Sequence, residues 1–393
     1  MSKEFQEHVF DSFARERTIF PEYLYDPGLF FDEDGKVYVV HGQGTLYLTE
    51  LNSDVKSVKG KPVKIWQGGF KNAHELGGGF GMEGSHMYRI NGKYYITCPA
   101  GGTGGWQICL RSDNIYGPYE HKLIMNDWSS YPKNGLHQGG MVQLKNGDWW
   151  FMIMQDRGPI GRVPCLVPVK WIDGWPMLGD EGKDLITYPK PATGKKSKIK
   201  SPATTDEFNA SQLGLQWQWN HNPDNSRWSL KERKGYMRLY ASQASTLKDA
   251  RNTLTQRVQG PSCEGSVEME VTGLKDGNIA GFGIFEFPYA YVAIRQESGR
   301  RKIVMCNDGK DIETVEHFNG DKLWIRVRAT DKEFKALFYY SLDGVNYKRI
   351  GNELQMGLGL PWTANRFALF NFNTTPQGNN GYADFNWFRF TNK

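Results

Sequence analysis

Cysteine is scarce in this chain: five in 393 residues, Cys98, Cys109, Cys165, Cys263 and Cys306, with no CxxC pair among them. An odd count without metal-type spacing argues against a cysteine-built metal site. Cys98 and Cys109 could face each other across a hairpin, but buried free thiols are the expected state. Long apolar runs are lacking too, so no segment could cross a bilayer. The opening MSKEFQEHVFDSFARERTIF has no basic stretch followed by an apolar one of the secretory type. No membrane partner is therefore expected, and the compartment is left open because a removed leader would give the same chain. Nor does one sign of charge dominate, with 48 Lys and Arg against 43 Asp and Glu. The basic cluster TGKKSKIKSP at 193–202 reads as a linker surface, and with no accompanying motif it implies no nucleic-acid partner. Amphipathic helical stretches are few.

What is present is glycine, 45 residues, and 14% aromatics, a composition suited to many short strands and to carbohydrate contact. Asp-Gly or Asn-Gly between alternating apolar runs signals a hairpin, since both central residues of the tight turn need positive φ. The signal occurs three times. Asp26-Pro27-Gly28-Leu29-Phe30-Phe31 precedes Asp34-Gly35, Glu83-Gly84-Ser85-His86-Met87-Tyr88 precedes Asn91-Gly92, and His137-Gln138-Gly139-Gly140-Met141-Val142 precedes Asn146-Gly147. From first residue to turn glycine the offsets are nine, nine and ten, and the copies begin 57 and then 54 residues apart. Repeats of this length predict propeller blades whose innermost strands line a channel, with Asp26, Glu83 and His137 at equivalent places at its mouth. Each alone would read as a turn or cap residue; equivalence in successive repeats favours one shared pocket.

This first domain is expected over 1–189, a Lys-, Pro- and Ser-rich linker over 190–204, and a second domain over 205–393. In the second, GSVEMEVTGL, KLWIRVRAT and GYADFNWFRFT alternate as strands of an antiparallel sandwich, so the fold class is all-β throughout. Asp206, Glu207 and Asp384, near both ends of that sandwich, are candidates for a structural cation such as calcium, against the plainer reading of surface acids. Trp106, Trp128 and Trp217 are candidates to stack on sugar rings, or else core residues.

The stretches YDPGLFFDEDGKVYVVHG, EGSHMYRINGKYYI, GLHQGGMVQLKNGDWWFM and GRVPCLVPVKWIDGWP resemble glycoside hydrolase family 43. DEFNASQLGLQWQWNHNPDN, ARNTLTQR and AGFGIFEFPYAYVAI resemble the concanavalin A-like β-sandwich appended to its β-xylosidase and α-L-arabinofuranosidase branch. The resemblance implies a five-bladed propeller that removes terminal xylosyl or arabinofuranosyl residues from plant oligo- or polysaccharides with inversion, using no organic cofactor. It also implies roles. Glu83 in EGSH matches the general acid, and Asp26 in YDPG the carboxylate that tunes that acid and orients substrate. His137 in LHQGG matches a channel histidine that contacts a bound cation, such as calcium, or a water network; Arg162 in GRVP matches an arginine near the sugar.

An inverting glycosidase needs a second carboxylate roughly 6.5–9.5 Å from the acid, to activate water. In the family resembled, that base lies in the first blade, and a second blade precedes the DPGLFF strand. Only 25 residues precede Asp26, too few for two four-stranded blades, so both blades and the base are expected to be missing. Asp32 and Asp34 belong to the far end of the hairpin and Asp11 to a segment without blade pattern, so none substitutes. The expectation is a hydrolase whose isolated chain is weakly active or inactive, completed by a fragment supplying the missing blades. The alternative is a catalytically degenerate glycan-binding protein.

Overall fold

The structure, a computed structural model, describes residues 25–67, 81–100, 105–126, 135–183, 187–192, 194, 198, 201–357, 363–375 and 380–392. The chain separates into two compact units. One ends at Arg157 and resumes over Val163–Lys196; the other takes Gly158–Arg162 and Ser197–Lys393.

Among the described residues, the first unit holds three four-stranded antiparallel sheets, each a meander in chain order. They are β1 (Gly28–Phe31), β2 (Val37–Gln43), β3 (Thr45–Leu51) and β4 (Val63–Gln67); then β5 (His86–Ile90), β6 (Lys93–Ala100), β7 (Trp106–Ser112) and β8 (Glu120–Met125); then β9 (Leu136–Gln143), β10 (Trp149–Asp156), β11 (Arg162–Ile172) and β12 (Trp175–Leu178). Strand alternation decides which face is covered. Phe30, Val40 and Leu48 of the first sheet pack with Met87, Ile96 and Leu110 of the second. The second sheet's other face sends Tyr95, Cys109 and Ile124 against Met141, Phe151 and Val167 of the third. Burying each such aliphatic or phenyl side chain contributes roughly 1.5–3 kcal/mol, so the middle sheet is held from both sides.

The hairpins are not all alike. Asn91 and Gly92 form the expected two-residue turn, with φ of 51° and 79° between the paired Ile90 and Lys93. The other two are five-residue loops, between Phe31 and Val37 and between Gln143 and Trp149. There Gly35 and Gly147 donate N–H to the carbonyls of Asp32 (3.0 Å) and Leu144 (2.9 Å), and only the glycine has positive φ. The longer offset of the third copy is taken up by a bulge. Pairing passes from Gly139–Ile153 to His137–Met154, which leaves Gln138 unpaired at φ 57°.

The second unit is two eight-stranded sheets. Their inner faces meet through Phe282, Phe367 and Phe388, with ring centroids 5.7–5.9 Å apart. Its two ends lie side by side, Asp206 and Phe388 exchanging backbone N–H to C=O bonds of 2.8 Å each. The segment Gly158–Arg162 belongs here because Asn365 donates its backbone N–H to Pro159 O (2.7 Å) and Arg257 donates to Ile160 O (2.9 Å).

Candidate active site

Asp26 and Glu83 stand just before β1 and β5, and His137 near the start of β9. Three close approaches fix the level of these strands against one another. A Cβ added to Gly28 would fall 2.0 Å from the carbonyl oxygen of Ser85, and one on Gly84 would fall 2.4 Å from Gln138 Nε2. One on Gly140 would fall 2.9 Å from Tyr88 Oη and 3.8 Å from the His86 ring. Counted from Asp26, Glu83 and His137, the first two pairs match second residue with second and first with first; beside Gly140 the nearest group is Tyr88, with His86 at ordinary contact distance. The three side chains thus start from one level on neighbouring strands, and Gly28 sits where two backbones come too close for a side chain.

The same end of the first sheet holds the Glu83 carboxyl. Gly42 donates its N–H to Tyr25 O (3.1 Å), and the next residue, Gln43, donates Nε2–H to Glu83 Oε2 at 2.5 Å. The backbone at this level is strained: Asp26, Met82 and Gln138 have φ of 39°, 70° and 57°. Left-handed conformations of non-glycine residues cost of order 1–3 kcal/mol each and cluster at functional sites.

His137 is buried, and its Nδ1–H donates to Gly135 O (3.1 Å), which orients the ring; Nε2 lies 3.3 Å from Asp156 Oδ2. Sequence reasoning missed Gln43 and Asp156, which lie at the far ends of β2 and β10 and outside the repeated motif. Calcium takes about 6–8 ligands, mostly oxygen. His137 and Asp156 offer two donor atoms, and among the described residues no group of three or more His, Cys, Asp or Glu gathers at one point. No step below runs through a metal.

Asp384, the other expected cation ligand, needs correction. Its carboxylate accepts from Arg238 Nε (2.8 Å) and Nη2 (2.9 Å) and from Arg233 Nη1 (3.0 Å), so positive side chains stand where a cation would sit. That bonding pushes the Arg238 guanidinium above its ordinary pKa. Asp206 accepts from Phe208 N–H and Trp217 Nε1–H (2.8 Å each), and Glu207 pairs with Arg389 at 3.0 Å. Trp217, stacked on Phe208 at 5.8 Å and edge-on to Phe388 at 5.1 Å, is core, not a sugar platform. Trp106 opens β7 half-buried; Trp128 and Asp11 lie outside the described residues. Arg162 is half-buried and opens β11 of the third sheet, at the boundary where the chain passes between the two units.

Asp32 is structural: buried at the far end of its hairpin, it accepts from Tyr94 Oη–H (2.8 Å) and Arg89 Nη1–H (3.1 Å). Asp34 pairs with Lys36 at 2.8 Å in solvent. All five cysteines are free thiols, and Cys109 lies opposite Thr97, not Cys98. Burial pushes the Cys98 thiol up to about 12.

A carboxyl held by an amide, with a second carboxylate and an oriented histidine at the same level, can deliver a proton to an ether oxygen in a cleft. Comparison with known proteins gives this chemistry a context. Residues 12–176 match the family described as Glycosyl hydrolases family 43. Residues 205–391 match the Beta xylosidase C-terminal Concanavalin A-like domain. A Beta-xylosidase of Formosa agariphila is 30% identical over 426 residues, covering 94% of this chain and 70% of the relative. A protein of Xylanibacter ruminicola is 33% identical over 350 residues, covering 85% of this chain and 62% of the relative. Among solved structures, the bifunctional GH43-CE of Bacteroides eggerthii superposes with a TM-score of 0.83 at 38% identity, over 95% of this chain and 48% of that one. The chain thus spans 62% of the Xylanibacter ruminicola relative and about half of the Bacteroides eggerthii protein.

Proposed function

The chain belongs to family 43 of the glycosyl hydrolases, and from that premise we propose that it serves the hydrolysis of terminal xylosyl or arabinofuranosyl residues of plant polysaccharides, with inversion. The observation that carries the reading is the shared level of Asp26, Glu83 and His137 on three neighbouring strands, with Gln43 bonded to Glu83. Glu83 is the general acid that protonates the leaving oxygen. Asp26, which starts from the same level on the neighbouring strand, orients the sugar. His137, oriented by Gly135, positions the ring or its water.

The water-activating carboxylate comes, in this reading, from further blades. Leu29 and Phe31 on the outer face of the first sheet, and Val142, Met152 and Leu166 on that of the third, are exposed apolar side chains. Surfaces of this kind are what the neighbouring sheets cover at both faces of the middle one. A fragment carrying those blades would supply both the cover and the base.

The test is kinetic and uses the chain together with such a fragment. Glu83→Gln lowers kcat about 10²–10⁴-fold on an alkyl β-xyloside, whose leaving group needs a proton, and far less on a dinitrophenyl β-xyloside, whose leaving group does not. Equal losses on the two substrates would remove Glu83 from the acid role.

A further inference from the structure

At the opposite ends of the same strands the first unit has a cavity of about 320 Å³, lined by Arg89, Ile90, Asn91, Gln143, Trp149 and Trp171. His137 lies near the start of β9 and Gln143 ends it, so at strand rise the cavity is removed from the candidate active site by roughly 20 Å. Its wall is aromatic and braced. Trp149 meets Trp171 edge to face at 5.7 Å, and Tyr95 supports Trp171 at 5.4 Å. Both indoles are half-buried, so they keep surface toward the opening.

The polar groups beside that wall are uncommitted. Gln143 pairs with Trp149 across β9 and β10, which puts amide and indole on one side of the hairpin. Its Nε2 donates to Gly147 O at 3.2 Å, while its Oε1 has no hydrogen-bond partner among the described residues. The same holds for the side-chain amide of Asn91 and for both indole N–H groups. Arg89 adds donors without a free positive charge, because Asp32 at 3.1 Å and Glu33 at 3.4 Å more than offset it.

Fixed aromatic surface, spare amide donors and acceptors, and a guanidinium already neutralised suit an uncharged polyhydroxylated ring better than an anion. The C–H face of a pyranose packs on indole and its hydroxyls bond the amides. The volume lies at the low end of the 300–1,000 Å³ typical of small-molecule sites, enough for a short stretch of glycan. We infer that this cavity is an accessory, non-catalytic site for a neutral sugar unit of a polysaccharide. A chain held there stays close to the active end of the same rigid sheets, which raises its effective concentration for the reaction. The inference rests on the proposed function only for the choice of a xylan-derived probe.

The experiment is a titration of the Glu83→Gln chain with xylotetraose, followed by the indole NMR signals, so no turnover is needed. Saturable millimolar binding that shifts the Trp149 indole is expected. The double variant Asn91→Gly/Gln143→Ala, which keeps a residue suited to the positive φ of the turn, weakens it at least tenfold. Trp149→Ala abolishes it, and its thermal unfolding shows whether the third sheet survives. Xylotetraose that leaves the Trp149 signal unmoved, or binds the double variant equally well, overturns the inference. A protein that hydrolyses through Glu83 but fails here loses this site alone; one that binds here without hydrolysis keeps it.

Discussion

Gly28 has no room for a side chain, since a Cβ would lie 2.0 Å from the Ser85 carbonyl oxygen, a backbone atom that cannot swing aside. Gly28→Ala must push β1 away from the second sheet, and overpacking of this kind costs about 1–3 kcal/mol. Chemical denaturation of the first unit is expected to show that loss; an unchanged midpoint would mean the two strands are not seated as described. Residues at this level were partly legible from sequence. Asp26, Glu83 and His137 could be found because each precedes a turn glycine at nearly the same offset. Gln43 and Asp156 could not, since they reach the site from the far ends of β2 and β10 through space. Asp384 was misread for a related reason: sequence shows an acid near the end of the chain, but not the Arg233 and Arg238 that fold onto it from about 150 residues away.

Strands and turns were the most legible elements, because alternation and Asp-Gly or Asn-Gly pairs act locally. Turn type was less so. Asn91-Gly92 closes a two-residue hairpin, while Asp34-Gly35 and Asn146-Gly147 sit inside longer loops whose other backbone bonds the dipeptide does not specify. The offset of ten in the third copy is a bulge at Gln138, which a count of residues registers without explaining. In the sandwich, the strand Ser262–Glu270 carries a test of its own. Burial pushes the Glu268 carboxyl up, but Lys322 Nζ at 2.7 Å and Trp324 Nε1–H at 3.2 Å outweigh it, leaving its folded pKa below the ordinary value. A lowered folded pKa gives stability that is present above the unfolded value of about 4.3 and is lost as pH falls through the folded one. Glu268→Gln is therefore expected to be less stable than the parent at pH 7, with the gap closing on acidification below pH 4. A gap constant across urea titrations from pH 7 to pH 3 would contradict the assignment.

Among the described residues, the chain holds a sandwich and three propeller-type sheets, of which the middle one has both faces covered by the other two. The outer faces expose Leu29 and Phe31 at one side and Val142, Met152 and Leu166 at the other, and in the proposed reading they receive the blades that bring the second carboxylate. General acid–base assistance is worth about 10²–10⁴-fold per participating group, so if the base is supplied by further blades, as proposed, these residues alone turn over aryl glycosides weakly or not at all. The measurement that tests the central claim most directly is the anomeric form of the first product, followed by proton NMR during hydrolysis of an aryl β-xyloside by the chain supplemented with a fragment that carries the further blades. The account predicts that α-xylose appears first, that the rate collapses without the fragment, and that Glu83→Gln removes the acid-dependent part. β-Xylose as first product, or undiminished turnover by the chain alone, would contradict it.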